Sequence, residues 1–120
     1  MESLVRVDGW NHVALIAWAG PVIVGVARFI RLKGRPDQAE VAFAVADSYQ
    51  RRGLGSLLRD ELVAAAGQAG VRVFRAEVMG ENRGMRRLFR TPSLHVVSDA
   101  GGVIEARLEH QQIRREALIA

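Results

Sequence analysis

Residues 39–70 read AEVAFAVADSYQRRGLGSLLRDELVAAAGQAG, and the reading of this stretch decides the fold. From about Ala39 to Ala46 the chain alternates in the manner of a β-strand. From Leu54 the apolar residues fall at Leu54, Leu57, Leu58, Leu62, Ala65, Ala66 and Ala69, the spacing of one helical face, until Gly70 supplies a stop. The junction between them is QRRGLG, residues 50–55. Backbone amides in the first turn of a helix have no internal partner, and the helix dipole places partial positive charge there. Gly53 and Gly55 carry no Cβ, so the chain can take left-handed torsions and an anion can come close, while Arg51 and Arg52 add charge and Ser56 a hydroxyl. The junction suits a pyrophosphate. A bare GxG also shapes ordinary strand-to-helix turns, and taken alone that is its commoner use. Neither the P-loop pattern GxxxxGK[ST] nor the dinucleotide pattern GxGxxG followed by a distant acidic residue is present.

Upstream, residues 12–19 (HVALIAWA) and 22–32 (VIVGVARFIRL) are rich in β-branched and aromatic residues and meet at Gly20 and Pro21, a hairpin signal. The polar KGRPDQ, residues 33–38, then reads as a loop into the strand that opens at about Ala39. Downstream, residues 71–79 read as a buried strand. Asn82 is placed to cap a short helix over Met85, Leu88 and Phe89, which Pro92 ends. Two short strands follow, at 94–98 and 103–108, joined by a DAGG turn that holds Asp99. Residues 109–120 read as a short helix or a tail. The predicted order is β-β-β-α-β-α-β-β, an α/β (α+β) sheet, mostly antiparallel, with one parallel step across the long helix.

A chain of 120 residues is read as one domain, residues 1–120. With 49% hydrophobic and 25% charged residues it has the balance of a folded globular chain. Without cysteine, disulfides, thiolate nucleophiles and cysteine-ligated zinc are excluded. The longest apolar run is broken by Gly20, Pro21 and Gly25, and the N-terminus lacks a signal-peptide pattern, so a cytoplasmic protein with no membrane partner is expected. Of 17 basic residues all but Lys33 are arginine, and the net charge is +4, which attracts phosphates of any kind. Nucleic acid is the less favoured partner, because the Arg114 and Arg115 pair has no stacking aromatics beside it. His12, His95 and His110 show no metal-ligand spacing, and no metal is expected. Trp10 and Trp18 are read as packing in the sheet or at a partner surface.

The motif Gln50, Gly53, Gly55 matches [QR]xxGx[GA], and the stretch around it resembles the coenzyme A binding core of the GCN5-related N-acetyltransferase (GNAT) superfamily. FRAEVMGENRGMRRLF resembles that family's fifth strand and following helix, and the likeness runs from about residue 12 to residue 108. VDGWNHVALIAW and VGVARFIRL look most like the acetyltransferase domains of bacterial protein lysine acetyltransferases. The resemblance implies a GNAT-like mixed sheet whose fourth and fifth strands splay apart, flanking helices, and acetyl-CoA as cofactor. It implies that backbone from Phe43 to Asp47, Val45 above all, pairs with the pantetheine arm, and that amides of Arg51, Arg52, Gly53, Leu54, Gly55 and Ser56, with Gln50 beside them, hold the pyrophosphate. Asn82 would reach the pantetheine or phosphate side, and Arg86 or Arg87 the 3′-phosphate. Glu40 falls where related enzymes place a catalytic glutamate, and strand alternation sets it on one face with Ala42 and Ala44. A surface glutamate at a strand edge is the other reading of Glu40.

Three departures follow. Where many members carry a tyrosine that protonates the departing thiolate, this chain has Phe89, and its single tyrosine is Tyr49. Where the family begins with a strand and two helices that wall the acceptor site, only about a dozen residues precede the expected second strand. A homodimer or another chain would then complete that wall, or the domain would bind acetyl-CoA as a sensor without efficient transfer. The usual Gly-Phe after the second helix is Ser93 and Leu94. The expected activity is acetyl transfer from acetyl-CoA to a primary amine, a protein lysine or else a small-molecule amine.

Overall fold

The computed structural model describes residues 3–78 and 82–109. Their order is β1 (Ser3–Asp8), β2 (His12–Ala19), β3 (Val22–Leu32), β4 (Arg35–Val45), a single 3-10 turn (Asp47–Tyr49), α1 (Leu54–Gln68), β5 (Val73–Glu77), α2 (Arg83–Leu88), β6 (Leu94–Ala100) and β7 (Val103–Leu108). The strands form one sheet in the order β1-β2-β3-β4-β5-β7-β6. All neighbours are antiparallel except β4 and β5, the pair that α1 connects. This is the mixed, mostly antiparallel sheet with flanking helices that the sequence predicts.

Two expectations about strands need correction. The segment before β2 is itself a strand: β1 pairs with β2 along its whole length, from Ser3↔Trp18 to Asp8↔Val13, and only residues 9–11 join the two. The expected loop at residues 33–38 is cut to a turn, and β4 begins at Arg35 although Pro36 cannot donate to a ladder. A bulge admits the proline. The register passes from Arg31↔Ala39 to Leu32↔Arg35, leaving residues 36–38 of β4 outside the pairing with β3. Asp99 also lies in β6 rather than in the turn, which is made by Gly101 and Gly102, both at positive φ. Met79 and the tail from His110 onward, with Arg114 and Arg115, fall outside the described residues.

Strand alternation sorts the side chains into two faces. Val13, Leu15, Ala17, Ala27, Phe29, Ala39, Val41, Phe74, Ala76, Ile104 and Ala106 point to one face and are buried there. Against them α1 sets Leu54, Leu58, Leu62, Ala65 and Ala66, and Phe89 at the end of α2 joins the same core. Phe29, Phe74, Leu58 and Leu62 are sealed from solvent, and each contributes about 1.5–3 kcal/mol of transfer free energy. The other face carries no helix among the described residues. Val5, Val7 and Ile30 stand exposed on it, as do Arg28 and Glu40.

Candidate functional site

β4 and β5 run side by side only at Gln38↔Val73, Ala39↔Phe74 and Glu40↔Arg75. β4 continues five residues further, to Val45, and β5 two further, to Glu77, with no pairing between them. The sheet is therefore split just past Glu40. Ala46 donates its N–H to the Val24 carbonyl on β3, so backbone polarity alternates from there: Ala44 and Ala42 face β3, while Val41, Phe43 and Val45 turn theirs toward the split. One of these groups is occupied, because Gln50 Nε2 donates to the Val45 carbonyl at 3.2 Å and to Asp47 Oδ1 at 3.2 Å. Gln50 and Asp47 thus brace the turn that leads from β4 into α1.

That turn delivers the chain to α1 with its amides bare. Gly53 is the N-cap at φ 84°, a left-handed conformation natural to glycine, and no side chain caps the helix. The first turn holds no acidic residue. Arg51 stands at φ 62°, which costs a non-glycine residue about 1–2 kcal/mol. Such strain gathers where a loop is shaped for a ligand. Gly55 lets α2 approach: a Cβ there would meet Leu88 Cδ2 at 3.2 Å. Arg52 stacks over the Tyr49 ring at 4.9 Å and donates to the Ser48 carbonyl at 3.3 Å, while Ser56 is exposed.

On the open face, a cleft of about 360 Å³ runs into the split. Arg28, Ile30, Glu40, Ala42, Arg75 and Glu77 line its outer part, and Phe43, Ala76 and Met85 line the inner part. Glu40 is exposed, flanked across the sheet by Ile30 and Arg75 and along its own strand by Ala42 and Ala44, whose methyl groups leave room before its carboxylate. Arg75 is paired with Glu105 at 3.5 Å. Phe89 is buried, its ring edge-on to Phe43 with centroids 6.5 Å apart. It lies behind the split as packing.

The remaining predicted contacts are partly engaged in the fold. Asn82 Oδ1 accepts from the Met85 amide at 3.0 Å, the helix cap its position suggests, which leaves its NH₂ group to reach outward. Arg86 is paired with Asp99 on β6, and Arg87 is exposed. The structure thus brings Glu40, Phe43, Val45 and the entrance of α1 along the β4 side of one split, with Ala76 and Glu77 of β5 on the other. The sequence reading did not single out Arg28, Arg75 or Glu77. Parity with Glu40 and Ile30 was the available signal.

A bare helix entrance beside a split between parallel strands, with a carboxylate at the closed end of that split, suits a domain that takes a phosphorylated carrier. The chain belongs to the acetyltransferase (GNAT) family, whose sequence profile matches residues 3–91. It is 36% identical over 107 residues to the acetyltransferase Pat of Mycolicibacterium smegmatis, covering 87% of this chain and 32% of that relative. The chain therefore spans about a third of the length of the curated relative it matches. Among solved structures, the cAMP-binding acyltransferase from Mycobacterium smegmatis superposes with a TM-score of 0.69 at 30% identity, over 88% of this chain and 34% of that one. The GNAT domain of S. lividans PAT gives 0.70 at 31% identity, over 83% and 61%. A Salmonella typhimurium protein solved with acetyl-CoA shares the fold at TM-score 0.68 and 22% identity, over 84% and 68%.

Proposed function

We propose that this domain transfers an acetyl group from acetyl-CoA to a primary amine, with a protein lysine as the favoured acceptor. The observation that carries the reading is the single line formed by the uncapped entrance of α1, the split between β4 and β5, and Glu40 at its closed end. The residues fit the carrier. A left-handed Gly53 and an acid-free first turn suit a diphosphate, and the backbone of Phe43 and Val45 suits an extended amide arm. Acetyl-CoA, when bound, supplies an acetyl group activated as a thioester.

The protein's own residues do the rest. An ammonium has no lone pair, so the acceptor must lose a proton before it can attack, and Glu40 takes that proton, directly or through a water. Ala42 and Ala44 leave the approach clear. Phe89 is buried and has no proton to give, so water or backbone amides would have to assist the leaving group. The same residue supports a second reading, in which the domain binds acetyl-CoA as a sensor and transfers nothing.

Transfer from acetyl-CoA to a panel of lysine peptides and polyamines tests both. Glu40→Gln is expected to lower turnover about a hundredfold or more while leaving cofactor affinity nearly intact. Unchanged turnover removes Glu40 from the mechanism, and cofactor binding with no transfer to any amine supports the sensor.

A further inference from the structure

Arg28 projects from the middle of β3 onto the open face, opposite Ala42 on β4 and Ala14 on β2. It lines the same cleft as Glu40 and is exposed. Both cross-strand neighbours are alanine, so nothing on either side covers the guanidinium or hydrogen-bonds to it. Arg75, the other arginine of the cleft, is answered by Glu105, whereas Arg28 makes no ion pair or hydrogen bond among the described residues. The unpaired charges on the walls are thus the carboxylates of Glu40 and Glu77 and the cation of Arg28.

For a purely cationic acceptor this arrangement gives up part of its attraction. The carboxylates attract the ammonium and Arg28 repels it, and like charges in a half-enclosed cleft are screened less than on open surface. The conflict disappears if the acceptor carries an anion beside its amine. Arginine presents a planar fork of donors that matches a carboxylate, so its selectivity is for that group rather than for negative potential in general. Across an antiparallel pair, Arg28 and Glu40 are diagonal neighbours, with Cα atoms about 7–8 Å apart. Two oppositely charged side chains two residues apart in an extended peptide share one face, with Cα atoms about 6.5–7 Å apart, and span such a gap.

Resting on the transfer reading above, we propose that Arg28 selects the acceptor by binding a carboxylate near the amine, so that the preferred substrate is a lysine with an aspartate or glutamate two residues away in sequence. Free α-amino acids, where amine and carboxylate share one carbon, bring the two charges too close for this diagonal. Polyamines offer no anion.

Isothermal titration of the CoA-loaded protein with end-capped peptides tests this, the residue two positions to either side of the lysine being glutamate, glutamine or a second lysine. The glutamate peptide should bind about three- to tenfold more tightly than the glutamine peptide, with the preference shrinking as salt is raised. Arg28→Gln should bring that ratio to about one, Arg28→Glu should invert it toward the lysine-flanked peptide, and Arg28→Lys should keep part of it. Melting curves establish that each variant is folded, and the lysine variant guards against a glutamine variant that is not. A ratio of one in the wild type, a preference that survives Arg28→Gln, tighter binding of spermidine or of a free amino acid, or no peptide binding at all overturns the proposal. Because the readout is binding, an inactive protein that still selects glutamate sinks the transfer reading alone. An active one indifferent to the flanking charge sinks the role of Arg28 alone.

Discussion

Arg31 is the one polar side chain the described residues bury, at 7% exposure, and no carboxylate meets it. Its charge is held by three carbonyls from three parts of the fold. Nε donates to Trp10 between β1 and β2 at 2.5 Å, one terminal nitrogen to Pro36 in the β4 bulge, and the other to Ala69 at the C-cap of α1. The guanidinium also lies 3.9 Å from the centroid of the Trp10 ring. Hydrogen bonds from a charged donor are worth about 1.5–3 kcal/mol each, and the negative end of a helix adds up to about 2 kcal/mol. These terms do not add. Residues 10 and 36 are exposed, so water can reach their carbonyls once the arginine is gone. Arg31→Met, which keeps the volume, is therefore expected to cost about 3 kcal/mol, or about 12 °C of melting temperature in a domain of this size. Arg31→Lys, with one ammonium for three dispersed acceptors, should lose about half of that. Circular dichroism melts and urea titration read both. A methionine variant melting within about 3 °C of wild type would refute the clamp, as would a lysine variant less stable than the methionine one. The consequence reaches the site: the Pro36 contact pins the bulge, the bulge sets the register of β4, and a one-residue slip there would turn Glu40 from the cleft into the core.

Two further substitutions probe the carrier side. Gly53→Val forces a β-branched residue into the left-handed region at a cost of about 1–2 kcal/mol or more, and should weaken CoA binding, read as a smaller rise in melting temperature on adding acetyl-CoA. An undiminished rise would place the diphosphate elsewhere. Asn82→Ala removes the cap of α2 and should lower the melting temperature of the free protein by about 4 °C, for about 1 kcal/mol of lost capping. No drop would show that water serves the Met85 amide equally well.

The elements with strong periodicity were legible in the sequence to the residue: β2, β3 and β7 begin and end where alternation does, and α1 starts at Leu54. β1 was missed although Val5 and Val7 alternate, because both look onto the uncovered face, 46% and 55% exposed, and on the core-facing side Leu4 is followed by Arg6 and Asp8. The start of β4 was missed because proline speaks against a strand, and only a tertiary register can show that a bulge has excused it. The same divide runs through the site. The bare helix entrance and the capping asparagine follow from local chemistry. That Gln50 holds the Val45 carbonyl, or that Arg86 is matched by Asp99, depends on partners that only the folded sheet brings near. Arg31 lies between these cases: parity with Ala27 and Phe29 is enough to place it on the buried face, but its three carbonyl partners come from distant parts of the chain.

The open face sets the kind of acceptor this site can serve. With β1 joined to β2 by three residues, no described helix crosses the sheet in front of Glu40, and the cleft opens broadly onto a surface carrying Val5, Val7 and Ile30. A small free amine gains little from a site with so few walls, because tight binding of small ligands needs most of their surface buried. The proposed protein lysine would lose nothing by it, since contacts spread over the sheet would hold a large partner while the cleft admits one side chain. On the proposed role of Arg28, specificity rests on the few charged groups at the mouth, where a single flanking residue of the acceptor decides between attraction to Arg28 and repulsion from it.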